Sequence, residues 1–312
     1  MQVKAIRPRG YCKGVVRAIE MAKQARGEKQ PVVILGMIVH NQYIVDALKQ
    51  MGIETIDHPG KTRLELLDEI QEGTVIITAH GAGDQVFEKA RAKGLNVIDA
   101  SCLDVIKTHE LIKEKLSKGY EILYIGKKGH PEAEGAVSID AERIHLIGSN
   151  EDLKTLDPGA DYVITNQTTM SLYDVQDLCE YAKEILPSVT IEKETCTATK
   201  VRQEAIKNMD ADIDVVFIVG DPHSNNTQKL ASIARENREV YMIESLEDLD
   251  ISVLKGKKKA AVSSGASTPA YLTDQVISFL EQFDETDPDT YTKPQVDLTK
   301  ILDLQTVRFI KK

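Results

Sequence analysis

The stretch from Leu95 to Leu116, LNVIDASCLDVIKTHELIKEKL, sets an apolar-alternating run, LNVID, before Cys102 and an amphipathic one, LDVIKTHELIKEKL, after it. The first reads as a strand and the second, with apolar residues recurring at three and four, as a helix. Cys102 is thereby placed at a helix N-terminus. Two more of the four cysteines have the same setting: VKAI and VVRAIEMAKQA flank Cys12, and VTIEK and TATKVRQEAIKNM flank Cys196. The three lie 90 and 94 residues apart, and Cys179 stands outside the series.

The register continues beyond the cysteines. Strands PVVIL, EILYI and DVVFIV end at Gly36, Gly126 and Gly220, each 24 residues past its cysteine, and His40, His130 and His223 follow at offsets of 28, 28 and 27. A second helix, a short strand and a third helical piece come next. Each repeat then enters a polar loop from a strand, in TVIITAHGAG, DYVITNQTTMS and KAAVSSGASTP, and continues into a helix. Alternation of this kind builds parallel sheets with right-handed crossovers. The expectation is an α/β protein of three parallel-sheet αβα units related by a pseudo-threefold: residues 1–101, 102–195 and 196–283, with a C-terminal tail over 284–312. The third unit lacks its own closing strand. Residues 1–11 are in the position to supply it, which would close the units into a ring.

Composition bounds the function. Of 312 residues, 39 are Lys or Arg and 49 are Asp or Glu, a formal charge of −10 that argues against nucleic acid as partner. No apolar stretch approaches the ~20 residues of a membrane span, and Lys4, Arg7 and Arg9 interrupt any signal-peptide core. A cytoplasmic protein is expected, in which cysteines serve metals, catalysis or packing rather than disulfides.

In parallel α/β sheets, ligands bind at the carboxyl ends of the strands, and the repeated polar residues all fall there. Cys12, Cys102 and Cys196 would meet at the centre as thiolates stabilised by helix N-termini. Two metal readings stay open: zinc with a fourth ligand, or a [4Fe–4S] cluster with three cysteine-held irons and one open iron. His40, His80 and His130, with Thr168, Thr169, Ser224, Asn225, Asn226 and Ser267, form a donor set suited to phosphate. Glu132, two residues beyond His130, would have a raised pKa beside a bound diphosphate and fits a general acid. Glu134 competes with it for that role.

Plainer roles account for other residues. Cys179 lies on the apolar face of LYDVQDLCEYAKEIL and reads as core; His58, His109 and His145 read as structural, and His223 is left between ligand and cap. NQTTMS and HSNNT also suit helix capping. PGKT at 59–62 lacks the upstream glycine of a phosphate-binding loop, and GAGDQV at 81–86 lacks the third glycine of a dinucleotide fingerprint.

Together PRGYCKGVVRAI, IVHN, AHGAG, SCLDVIKTH, GHPEAEG, NQTTMS, ETCTATKVRQ, HSNNTQKL and GASTP resemble the 4-hydroxy-3-methylbut-2-enyl diphosphate reductase family, from Met1 to about Phe283. The resemblance implies a cloverleaf of three α/β units around a central [4Fe–4S] cluster held by Cys12, Cys102 and Cys196. It implies substrate contacts from His40, His80, His130, Thr168, Ser224, Asn225, Asn226 and Ser267, and proton donation by Glu132. It further implies reductive dehydroxylation of an allylic diphosphate to isopentenyl and dimethylallyl diphosphate, the last step of the non-mevalonate pathway, with ferredoxin or flavodoxin as electron donor. Two positions depart from the family pattern: Leu103 stands where proline commonly follows the cysteine, and Asn225 stands in a usual Ser-Ser-Asn. The competing readings are a non-catalytic iron–sulfur or zinc carrier, which needs no internal acid, and a zinc hydrolase.

Overall fold

The protein is described over residues 1–304 by a computed structural model. After β1 (Gln2–Ala5) and α1 (Lys13–Gln24), the first repeat continues through β2 (Val32–Leu35), α2 (Gln42–Gln50), β3 (Glu54–Ile56), α3 (Arg63–Asp68), β4 (Thr74–Ile77), α4 (Asp84–Ala92) and β5 (Asn96–Asp99). The second consists of α5 (Leu103–Ser117), β6 (Glu121–Ile125), α6 (Pro131–Val137), β7 (Ile144–Ile147), α7 (Asn150–Leu153), β8 (Tyr162–Asn166), α8 (Leu172–Ile185) and β9 (Thr190–Ile191). The third has α9 (Thr197–Lys207), β10 (Val215–Val219), α10 (Asn225–Arg235), β11 (Glu239–Ile243), β12 (Lys259–Ser264) and α11 (Ala270–Gln282).

These strands form three four-stranded sheets, ordered β3-β2-β4-β5, β7-β6-β8-β9 and β11-β10-β12-β1, and every pairing is parallel. The order is the same in all three once β1 is taken as the closing strand of the last, with Gln2 opposite Lys259 and Ala5 opposite Val262. Inner strands TVII, YVITN and VVFIV are buried along their whole length, as helices on both faces require. Edge strand β1 alternates between exposed and half-buried residues. Each glycine that ends the leading strand donates its N–H to the isoleucine ending the neighbouring strand: Gly36 to Ile56 at 2.8 Å, Gly126 to Ile147 at 3.1 Å and Gly220 to Ile243 at 2.8 Å. The common offset from cysteine to glycine is therefore the length of one helix and one strand.

Two elements are shorter than the sequence patterning suggests. The strand before Cys196 keeps only two residues, Thr190 and Ile191, and the third helical piece of the last repeat is two 3₁₀ turns, Leu246–Asp248 and Ile251–Leu254. Ser245 and Asp250 cap those turns through their side chains, and such local side-chain bonds compete with a longer α-helix.

The chain divides into two compact units. One holds the third sheet and comprises Met1–Val16, His40–Ala47 and, among the described residues, 197–304; the other holds the first and second sheets within Arg17–Val39 and Leu48–Cys196. In the former, the segment after α11 packs back on its own sheet layer. Lys293 donates to the carbonyls of Glu247 and Leu249 at 3.0 and 2.6 Å, and Ile301 and Leu302 are buried. The rest of the expected tail, 305–312, lies outside the described residues.

Candidate active site

All three repeated cysteines lie outside any disulfide, half-buried, and each immediately precedes a helix: α1, α5 and α9. Their backbones are tied alike. The Cys12 N–H donates to Ala266 O at 3.0 Å, that of Cys102 to Ala79 O at 2.9 Å and that of Cys196 to Thr168 O at 3.1 Å. The three acceptors are equivalent positions in the polar loops that leave β12, β4 and β8. Cys179 instead sits in the apolar core of the second repeat with Leu178 and Ala182, and burial pushes its thiol pKa up, which keeps it protonated and inert.

In the unit holding the first two sheets, the loop after β4 and the later part of α6 meet closely. Gly83 caps α4, and a Cβ on it would lie 1.9 Å from Ser138 Oγ; one on Gly135 would lie 3.4 Å from the Ala82 backbone. A side chain at position 83 would not fit there, and in the same unit the rings of His80 and His130 lie 5.5 Å apart in an edge-to-face pair. His130 is the N-cap of α6 and Pro131 its first residue; the His130 Nδ1 accepts the Glu132 N–H at 3.1 Å. With Nδ1 so engaged, the neutral imidazole carries its proton on Nε2.

Glu132 lies in the first turn of α6 rather than in a loop, and is 2% exposed. Its carboxylate accepts the Thr168 N–H at 2.7 Å and the Thr168 hydroxyl at 3.1 Å. Burial pushes its pKa up to about 7, with the Thr168 bonds opposing and the Asp104 charge adding to the rise. The elevation thus arises from the protein's own packing, whereas the sequence reading ascribed it to a bound diphosphate. The fully buried Tyr124 phenol is held well above its ordinary pKa by burial and by the neighbouring Glu132 charge.

Arg63, at the start of α3, is a site neighbour that the sequence did not single out. Its Nη2 donates to Thr78 Oγ1 at 2.6 Å and its Nη1 to the Gly81 carbonyl, while Thr78 Oγ1 lies 3.5 Å from His80 Nδ1. Burial lowers the guanidinium pKa to about 10, with the Glu134 and Asp57 charges opposing. Glu134 thus faces a cation and lies outside the Thr168 contact that distinguishes Glu132.

The other unit gathers Cys12, His40, Ser224, Asn225, Asn226 and Ser267. Ser224 caps α10 by accepting from the Thr227 N–H, so Asn225 and Asn226 open the helix, both buried. Asn226 Oδ1 accepts from the Ala266 N–H at 3.1 Å and thereby supports the carbonyl that holds Cys12. The Ser267 hydroxyl donates to the His40 carbonyl at 2.9 Å. Two other histidines are engaged elsewhere, His58 with Glu69 and His145 with Glu121, while the backbone N–H of His223 donates to Asp221 Oδ1 in the loop that leads to Ser224. His109 packs by the Gly81 and Gly135 backbones.

Three parallel α/β sheets, a cysteine before the first helix of each repeat and one buried, proton-retaining carboxyl group define a class of cysteine-bearing α/β enzymes with an internal acid. Within that class the chain belongs to the LytB protein family, whose model matches residues 3–281. A Brevibacillus brevis protein named 4-hydroxy-3-methylbut-2-enyl diphosphate reductase is 50% identical over 97% of this chain and 99% of its own. A Bacillus subtilis protein of the same name is 48% identical over 97% and 98%. Among solved structures, the E-1-hydroxy-2-methyl-but-2-enyl-4-diphosphate reductase from Plasmodium falciparum matches with a TM-score of 0.85 at 28% identity, covering 96% of each chain. A second, titled (E)-4-hydroxy-3-methyl-but-2-enyl diphosphate reductase, the terminal enzyme of the non-mevalonate pathway, matches at 0.64 and 31% identity, covering 91% of this chain and 100% of the other. Among the described residues, no helix is long and apolar enough to cross a membrane.

Proposed function

We propose that this protein reduces (E)-4-hydroxy-3-methylbut-2-enyl diphosphate to isopentenyl and dimethylallyl diphosphate, with Glu132 as the proton donor. The observation that carries the reading is the Glu132 carboxyl group: buried, held by Thr168, and retaining its proton near neutral pH. The net reaction breaks the allylic C–O bond and consumes two electrons and two protons, releasing water. An acid poised near pH 7 suits protonation of the departing oxygen.

Cys12, Cys102 and Cys196 would hold a [4Fe–4S] cluster. Their chemistry fits it: three thiols outside any disulfide, each immediately before a helix. Three cysteines leave one iron open, and the bound cluster supplies single electrons and a Lewis-acid position for a hydroxyl. A reduced ferredoxin or flavodoxin would deliver those electrons in the cytoplasm.

The diphosphate would be gripped by His40, His80, His130, Thr168, Ser224, Asn225, Asn226 and Ser267. With a net charge of −10, the protein's overall field repels the anion, so local N–H and O–H donors must supply the attraction.

Anaerobic purification followed by absorption and paramagnetic resonance spectra, then turnover of the diphosphate with a reduced electron donor, tests this. A brown protein that forms both products is expected. A colourless protein that binds only zinc, or a cluster protein without turnover, overturns it.

A further inference from the structure

Resting on the reading of Cys12 as a cluster ligand, we propose that Tyr11 and the segment around Ile301 act together as positioning residues for Cys12. The turn before α1 is pinned on both sides of Tyr11. The Gly10 N–H donates to Ser264 Oγ at 2.9 Å, its carbonyl accepts from Arg202 Nη2 at 2.6 Å, and the Cys12 N–H donates to Ala266 O. Gly10 itself has φ +80, a conformation costly for other residues, and a Cβ there would meet Ala270 Cβ at 3.2 Å.

Tyr11 is 6% exposed, and its phenol donates to the Ile301 carbonyl at 2.8 Å. Ile301 is fully buried and Leu302 nearly so, which fixes the accepting carbonyl.

The other repeats show what is special here. At the residue preceding Cys102, the Ser101 hydroxyl bonds to Asp99 Oδ1; at the residue preceding Cys196, Thr195 Oγ1 accepts from Asn166 Nδ2 at 2.9 Å. Both partners belong to the sheet of the same repeat. Cys12 alone has its preceding side chain anchored by chain that follows the third repeat, beyond the residues 3–281 that the family model matches. The C-terminal segment thus takes over, for one cysteine, the task that sheet residues perform for the other two.

The test uses the full-length apoprotein under anaerobic reducing conditions, with iodoacetamide as probe and site-resolved mass spectrometry as readout. Tyr11→Phe keeps the ring and removes the donor; Ile301→Ala/Leu302→Ala loosens the acceptor. Each is expected to raise the Cys12 alkylation rate about three- to tenfold, leaving Cys102 and Cys196 within twofold of wild type. The combined variant should add little, since both changes break one contact. Unchanged Cys12 rates, or equal rises at all three cysteines, overturn the proposal. The alkylation pattern is independent of iron, so a wild-type protein that takes up no cluster refutes the functional reading while the positioning contact is still judged.

Discussion

Glu132 and Thr168 are joined twice, by the Thr168 N–H at 2.7 Å and its hydroxyl at 3.1 Å. The Thr168 carbonyl in turn accepts the Cys196 N–H. One residue therefore sets both the acid and the backbone of a cysteine, so their relative placement is fixed through Thr168.

Glu132→Gln keeps the shape and removes the proton. We expect turnover to fall by about 10²- to 10⁴-fold, with iron content and substrate affinity close to wild type. For the wild type, kcat should decline as pH rises through about 7, where the buried acid ionises. Steady-state rates from pH 5.5 to 9 check both, and undiminished turnover in the Gln variant would reassign the acid.

Thr168→Val removes the hydroxyl bond that favours the carboxylate and leaves the N–H bond. The Glu132 pKa should move further up, carrying the alkaline limb of the rate profile with it. A limb displaced toward lower pH contradicts the assignment of that bond.

The raised pKa has a cost in stability. Below pH about 4.5 the acid is neutral in both folded and unfolded chains; between there and about 7 only the unfolded chain ionises, so stability falls as pH rises and the loss is complete above the folded value. The difference corresponds to about 3 kcal/mol. In urea unfolding of the apoprotein, Glu132→Gln should gain on the wild type from pH 5 to pH 8. Parallel curves would show that Glu132 is not buried as a neutral acid.

Gly83→Ala places a methyl against Ser138 Oγ, which is itself bonded to the Gly135 carbonyl. The expected cost is about 1–3 kcal/mol, and separation of the His80 loop from α6 should raise KM for the diphosphate more than it lowers kcat. Adding Ser138→Ala should restore part of both. Wild-type melting and KM in Gly83→Ala would refute the close approach.

Cys179→Ser buries a hydroxyl among Leu178, Ala182 and Leu186. Stability should drop by about 1–3 kcal/mol, while iron per chain stays at the wild-type value by colorimetric assay. Loss of iron would move Cys179 into the ligand set.

The sheets were legible because helix and strand lengths are nearly constant between repeats, so a cysteine-to-glycine offset measures a structural unit, and Gly36, Gly126 and Gly220 do make the same bond. Glu132 stood out as a carboxylate beside a histidine. Its fixation by Thr168 did not, since that contact joins residues 36 apart, one in the first turn of α6 and one in the loop after β8, that only the sheet brings together. Arg63 was hidden for another reason: TRLELLDEI reads as a charged surface helix, and nothing local says that its first arginine turns inward. Tyr124 looked like one more apolar residue of EILYI, and Tyr11 like a neighbour of Cys12 whose partner lies 290 residues away.

Because β1 closes the third sheet beside β12, the strand made first during synthesis must wait for a partner made near the end. At ~5–20 residues per second, roughly 10–50 s separate their emergence from the ribosome. Before the end of that interval the first two sheets have all their strands in hand, while the third still lacks β12. Newly made chains therefore pass through a stage with β1 unpaired, an open strand edge that a chaperone, or another nascent chain, could engage.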